Sequence, residues 1–282
     1  RVQDAILFYD HYISDIKHLC HQGPLDPLAP CVVLSSDIHP HYSFFAPLSA
    51  AIWRTRGYRP LLLLIGSAQQ WLSDPRLRLA LQHSREAGAE IYFIPEPTSP
   101  SIRRSTVAQM ARFFAATLPH VSDTARLLTS DVEMWPLGSW IEDSIDHSKA
   151  LTLLYSNAYK TSSYPHWPVC YMSATAKIWR EIVGCDRGQL EVGLAAALAE
   201  SPSDEEGAWN WDEKWIGARI AAWSGYPERV QQVERTFCKG EWRLDRSGWD
   251  EGWAHLNGSL DGVADAHLPR PGFDENWNRI RP

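Results

Sequence analysis

From Cys31 onward, short apolar runs alternate with helical stretches, and this alternation limits the fold more than any other feature of the chain. Cys31–Ser36, Leu61–Ile65 and Glu90–Ile94 read as strands. Between them, Phe44–Arg56 and Pro75–Ala87 carry helical patterns that stop at Gly57 and Gly88, where glycine enters the left-handed region without penalty. A cap at Ser101 or Ser105 starts a further helix that runs to about Leu118, and Ala125–Thr129 is a fourth strand. Leu151–Tyr155 and Val169–Ser173 are two more strands, with helices at Thr175–Val183, Gln189–Glu200 and Asp212–Trp223. Strands separated by helices imply an α/β fold: a mixed, mostly parallel sheet flanked by helices in a single domain. Such sheets bind ligands at the C-terminal ends of their strands. That marks Ser35–His41, Gly66–Gln69, Pro95–Arg104 and Asp131–Trp135 as one rim. Residues 2–20 read as a helix and 23–30 as a Pro-rich connector, while the tail from Phe237 reads as irregular with short strands.

A chain of 282 residues with 44% hydrophobic content can bury a large core. Its net charge of −7 gives no general attraction for nucleic acid or an anionic membrane. Any phosphate must be held by a local site or a metal. The Gly-rich signatures of dinucleotide folds and P-loop enzymes are missing from the sequence. The five Cys show no paired spacing for a structural zinc, and an odd count cannot pair fully within the chain. No apolar run approaches the roughly 20 residues that span a bilayer. Because the chain begins at Arg1, two locations stay open: the lumen of the Golgi or endoplasmic reticulum behind a preceding anchor, or the cytoplasm.

The strongest local signal is Leu127-Leu-Thr-Ser-Asp131-Val-Glu133-Met-Trp-Pro136. An apolar strand runs into two carboxylates one residue apart. In extended backbone both point to one side, where a divalent cation relieves their repulsion. In this context the segment resembles the D-x-D region of GT-A (Rossmann-like) glycosyltransferases. The resemblance covers roughly residues 31–225 by pattern and the acidic motifs by identity.

The resemblance implies that Asp131 and Glu133 hold Mn2+ or Mg2+ against the diphosphate of a nucleotide sugar, a UDP-sugar being favoured. Glu133 departs from the usual Asp but remains an oxygen donor. Many relatives add a C-terminal His to the metal, which points to His267, with His255 as a competitor; Arg270 beside it suits a phosphate. Ser35, Ser36 and Asp37 follow the first strand, where relatives hold base and ribose. Ser101, Arg103 and Arg104 open a helix whose N-terminus attracts a diphosphate or a uracil edge, or are a solvated helix start. Inverting relatives carry an acidic base at a helix start in the region of Asp212 and Glu213. Acids also favour a first turn for its dipole alone. Trp209, Trp211 and Trp215 suit an acceptor-sugar platform or simple packing. The chain then divides into an N-terminal helix and connector (1–30), a nucleotide-sugar half (31–136) and an acceptor half with a Trp-rich tail (137–282). The partners implied are a nucleotide sugar and a glycan or other hydroxyl acceptor.

Two other readings compete. Asp37-Ile-His39-Pro-His41 resembles the D-x-H-x-H run of metal-dependent hydrolases, although the later His and Asp that those enzymes need at strand ends are not evident. The fourteen Trp also suit a non-catalytic carbohydrate-binding domain.

Overall fold

The computed structural model describes residues 26, 28–97, 99–159, 166–202, 210–234, 242–246 and 263–268. In chain order its elements are β1 (Cys31–Ser36), α1 (Pro40–Ser43), α2 (Phe45–Thr55), β2 (Arg59–Ile65), α3 (Ala68–Ser73), α4 (Pro75–Glu86), β3 (Glu90–Ile94) and α5 (Arg104–Phe114). There follow β4 (Arg126–Thr129), β5 (Met134–Pro136), α6 (Trp140–Asp143), β6 (Leu151–Leu154), β7 (Met172–Thr175), α7 (Ala176–Val183) and α8 (Leu190–Ala199). The last are α9 (Trp211–Ala222), β8 (Val230–Val233), β9 (Trp242–Leu244) and β10 (Val263–His267).

A mixed seven-stranded sheet runs β3-β2-β1-β4-β7-β6-β8. Its first four strands are parallel, β7 is antiparallel to both neighbours, and β6 and β8 are parallel. β1 is buried along its whole length, as a near-continuous apolar strand covered on both faces must be. Its side chains alternate between two cores: Val32 and Leu34 pack with α2 and α4, while Cys31 and Val33 pack with α5, α7, α8 and α9. A smaller sheet runs β5-β10-β9, with β10 antiparallel to β5 and parallel to β9. The tail therefore contributes two strands that close over the end of β4, and Leu268 N donates to Glu133 O at 2.9 Å.

Several boundaries differ from the sequence reading. Helix α5 starts at Arg104 behind an Arg103 with no side-chain cap, and Ser101 instead pairs with Ser99 at 2.8 Å. β7 sits at 172–175, so Thr175 is strand rather than helix. The expected helix at 2–20 and half of the connector lie outside the described residues. No described helix is long and apolar enough to cross a membrane.

Candidate functional site

A cavity of about 790 Å³ opens where β1 and β4 end, within the size range of small-molecule sites. Asp37, Arg112, Asp131, Glu133, Asp212 and His267 are among its walls. Ser35 and Ser36 leave β1 on this side. Ser35 Oγ donates to Ala108 O at 2.6 Å, which pins β1 to α5, and Ser36 Oγ donates to Asp37 O at 2.9 Å. Asp37 is buried, and its Oδ1 accepts from His39 N at 2.9 Å.

The Asp131–Glu133 segment is a turn, closed by Met134 N donating to Asp131 O at 3.1 Å. The strand alternation assumed from sequence therefore does not apply there. Both acids still line the cavity, as does Val132 between them. Val132 is 2% exposed, and its carbonyl accepts from Ser49 Oγ, which also accepts from Trp135 Nε1 at 2.9 Å.

Arg112, on the last turn of α5, is the residue that sequence reasoning missed. Its side chain is 5% exposed. Nε donates to Gln109 O at 2.9 Å, Nη1 donates to Asp131 Oδ1, and Nη2 lies 3.5 Å from Asp212 Oδ2. A signal was present: Arg112 is the one charge in the apolar run Val107–Leu118, and a buried charge needs ionic partners. Burial pushes the Asp131 carboxyl up, but the Arg112 guanidinium more than offsets this and holds it below the ordinary range.

Asp212 and Glu213 enter from the first turn of α9. Burial pushes Asp212 up to about 6, helped by the charge of Asp131 and opposed by Arg112. Burial and then Asp212 push Glu213 up to about 8, although Tyr159 Oη donates to its Oε1 at 2.9 Å. Glu213 is thus largely neutral at pH 7, and Asp212 is largely ionised.

His267, on β10, has Nε2 3.9 Å from Glu133 Oε1 and Nδ1 3.5 Å from Asp245 Oδ2. Burial alone lowers its pKa, but Asp245 and Glu133 outweigh that and raise it to about 9. Arg246 Nη1 stands 3.7 Å from the same Glu133 oxygen. The 3.9 Å between Glu133 Oε1 and His267 Nε2 is wider than the roughly 3.0–3.4 Å between adjacent ligands of one divalent ion with bonds of roughly 2.1 Å. Among the described residues no three His, Cys, Asp or Glu side chains surround one point. The described residues form no cage of protein atoms, so a cation here would have to draw ligands from substrate phosphates and water, as Mg2+ commonly does.

Other expected residues fall apart from the cavity. Arg103 lines it, whereas Arg104 is drawn outward to Glu96 at 2.9 Å and Ser101 is exposed. Trp215 is 4% exposed, packs on Phe114 at 5.6 Å between ring centroids and donates to Glu200 at 3.2 Å. Trp211 packs against the same core. Apolar burial has taken the Trp215 ring, whereas Trp211 is half-buried. Trp209, His255 and Arg270 lie outside the described residues. His39 caps α1, with Nδ1 accepting from His41 N at 3.3 Å. His41 is helical, so the pair does not form the same-side strand arrangement that a shared zinc requires.

No family model matches the chain, and no curated protein matches it. Among solved structures, the glycosyltransferase GlyE of Streptococcus pneumoniae is 13% identical, with a TM-score of 0.48, over 89% of this chain and 60% of that one. The galactosyltransferase LgtC, in complex with donor and acceptor sugar analogs, is 14% identical, with a TM-score of 0.43, over 85% and 87%. The mannosyltransferase PcManGT of Pyrobaculum calidifontis, in complex with GDP-Man and Mn2+, is 8% identical, with a TM-score of 0.41, over 99% and 72%. The chain thus spans 60% of the GlyE chain's length.

Proposed function

We propose that this chain is a glycosyltransferase that moves a sugar from a nucleoside-diphosphate donor, a UDP-sugar being favoured, to a hydroxyl of a glycan or other acceptor. The observation that carries the reading is the meeting of Asp131 and Asp212 on the single guanidinium of Arg112, inside a cavity at the strand ends. That arrangement supports a strand-end acid and a buried carboxylate acting together in one cavity.

Asp212 acts as general base. A carboxylate pushed up to about 6 is still ionised at neutral pH and is a stronger proton acceptor than an ordinary one. It takes the proton from the acceptor oxygen as that oxygen attacks the anomeric carbon and the diphosphate leaves, which inverts the centre. Glu213, neutral at pH 7, serves as a hydrogen-bond donor to a sugar hydroxyl, its other oxygen held by Tyr159. Asp37 and Ser36 suit the nucleoside at the end of β1. Glu133 and His267, with Asp131 beside them, would hold Mn2+ or Mg2+. A cation bound there supplies charge stabilisation to the leaving diphosphate. His267 must give up its proton to serve as a ligand.

A thermal-shift screen of UDP, GDP and their sugars, with and without Mn2+, tests the reading, because a ligand specific for the native state raises the melting temperature. A shift with UDP that grows with Mn2+, together with donor hydrolysis or transfer, is the expected result. Absence of any shift across the whole panel overturns it.

A further inference from the structure

Arg243 is the second arginine that meets buried partners at the cavity wall, and the proposed mechanism gives it no part. It stands on β9 with its side chain 18% exposed. Nε lies 3.0 Å from Asp265 Oδ1, and Nη2 lies 2.8 Å from Asp265 Oδ2. Asp265, on β10, is 0% exposed. Tyr155 Oη donates to the same Oδ2 at 2.8 Å, and the guanidinium lies over the Tyr155 ring at 4.3 Å. Nη2 also approaches Cys170 Sγ at 3.8 Å. Asp265 and Cys170 thus hold the guanidinium by its Nε–Nη2 side, and the Tyr155 ring covers one face. Nη1 has no hydrogen-bond partner among the described residues.

This arrangement is costly for a purely structural joint. Well-packed apolar residues usually hold two strands together at least as well as a buried ion pair. Tyr155 also adopts φ 58°, a left-handed conformation that a bulky residue rarely takes and that costs about 1 kcal/mol or more. Asp265 and the Tyr155 ring together set the plane of the guanidinium and partly compensate its charge. Arg243 is near enough to Asp131 that its charge helps hold that carboxyl down. Arg246, just past β9, and His267, on β10, also line the cavity.

We propose that Arg243 is an anion-binding residue, fixed by Asp265 and Tyr155 so that its Nη1 edge contacts a phosphate oxygen of the donor diphosphate. The inference rests on the nucleotide-sugar reading but assigns a contact that the reading does not need.

The test measures UDP and uridine binding by calorimetry to the wild-type chain and to a variant carrying Arg243→Gln with Asp265→Asn. Changing both partners leaves no unpaired buried charge. Where the double variant keeps a cooperative melt, UDP affinity is expected to fall at least about tenfold with uridine affinity unchanged, since the lost bond is charge-assisted. Unchanged UDP affinity in that folded variant overturns the proposal. Where the double variant does not fold, Arg243→Lys is read in its place. Lysine keeps a charge for Asp265 but lacks the second edge, so the same selective loss is expected, and wild-type UDP affinity overturns the proposal. Failure of the wild-type chain to bind UDP or GDP at all is a separate outcome that removes the nucleotide-sugar reading and this inference together.

Discussion

Arg112 joins Asp131 to Asp212: one nitrogen of its guanidinium donates to the first carboxylate, and the other stands 3.5 Å from the second. The two acids come from the end of β4 and the start of α9, so a single buried cation connects the two acidic segments of the site. Arg112→Met leaves two carboxylates facing each other in a buried space. Removing one partner of such a cluster costs about 3–5 kcal/mol. A lowered urea midpoint and a loss of transfer of at least about 100-fold are expected. Wild-type stability in that variant would show that the guanidinium is not the ionic centre described.

Glu213 should leave a mark on stability as a function of pH. Its folded pKa, about 8, lies above the ordinary value of 4.5, so between these limits the folded state holds a proton that the unfolded chain has released. Stability therefore falls as pH rises from about 4.5 to 8. Glu213→Gln keeps an acceptor for Tyr159 and removes the titration. The variant should match the wild type in denaturant melts near pH 4.5 and exceed it near pH 8. Parallel curves across that interval would contradict a buried, neutral carboxyl.

Asp212 predicts the acid limb of activity. With its carboxyl at about 6, turnover should fall below that pH as the base becomes protonated. Asp212→Asn should lower kcat by at least about 100-fold while donor affinity is retained, as expected for a group acting on the acceptor proton. A change in donor affinity alone would assign the residue to binding instead.

Asp131→Ala and chelation test the cation end. Both should abolish Mn2+-stimulated transfer. In calorimetry, UDP should bind more tightly with Mn2+ to the wild type, and this enhancement should disappear in Glu133→Gln. Equal enhancement in that variant would move the cation to other ligands.

Ser49→Ala examines the turn from behind. It removes the donor to the Val132 carbonyl and the acceptor for Trp135 Nε1, all fully or nearly buried. A loss of about 1–3 kcal/mol in stability is expected, with a raised KM for donor as the turn loosens. Stability within about 0.5 kcal/mol of wild type would mean that the turn is held by its own sequence.

The central strands, most helices and the position of the acidic pair were legible in the sequence because their causes are local; that the pair sits on a turn was not. β1 declares itself by an unbroken apolar run, Gly57 and Gly88 end helices at φ 82° and 76°, and Asp131 follows a strand directly. Arg112, Arg243 and Tyr155 were not read as site residues. Each acquires its role from residues far along the chain, at separations of 19 and 100 for Arg112 and 110 for the Tyr155–Asp265 bond. Trp215 shows the opposite limit: a Trp in sequence is suited to a sugar face or a core, and its packing against Phe114 made the choice. Periodicity encodes which face of an element is apolar, so the sequence determined the layers. Which charges share a cavity depends on how those layers close, and long-range packing alone decided that.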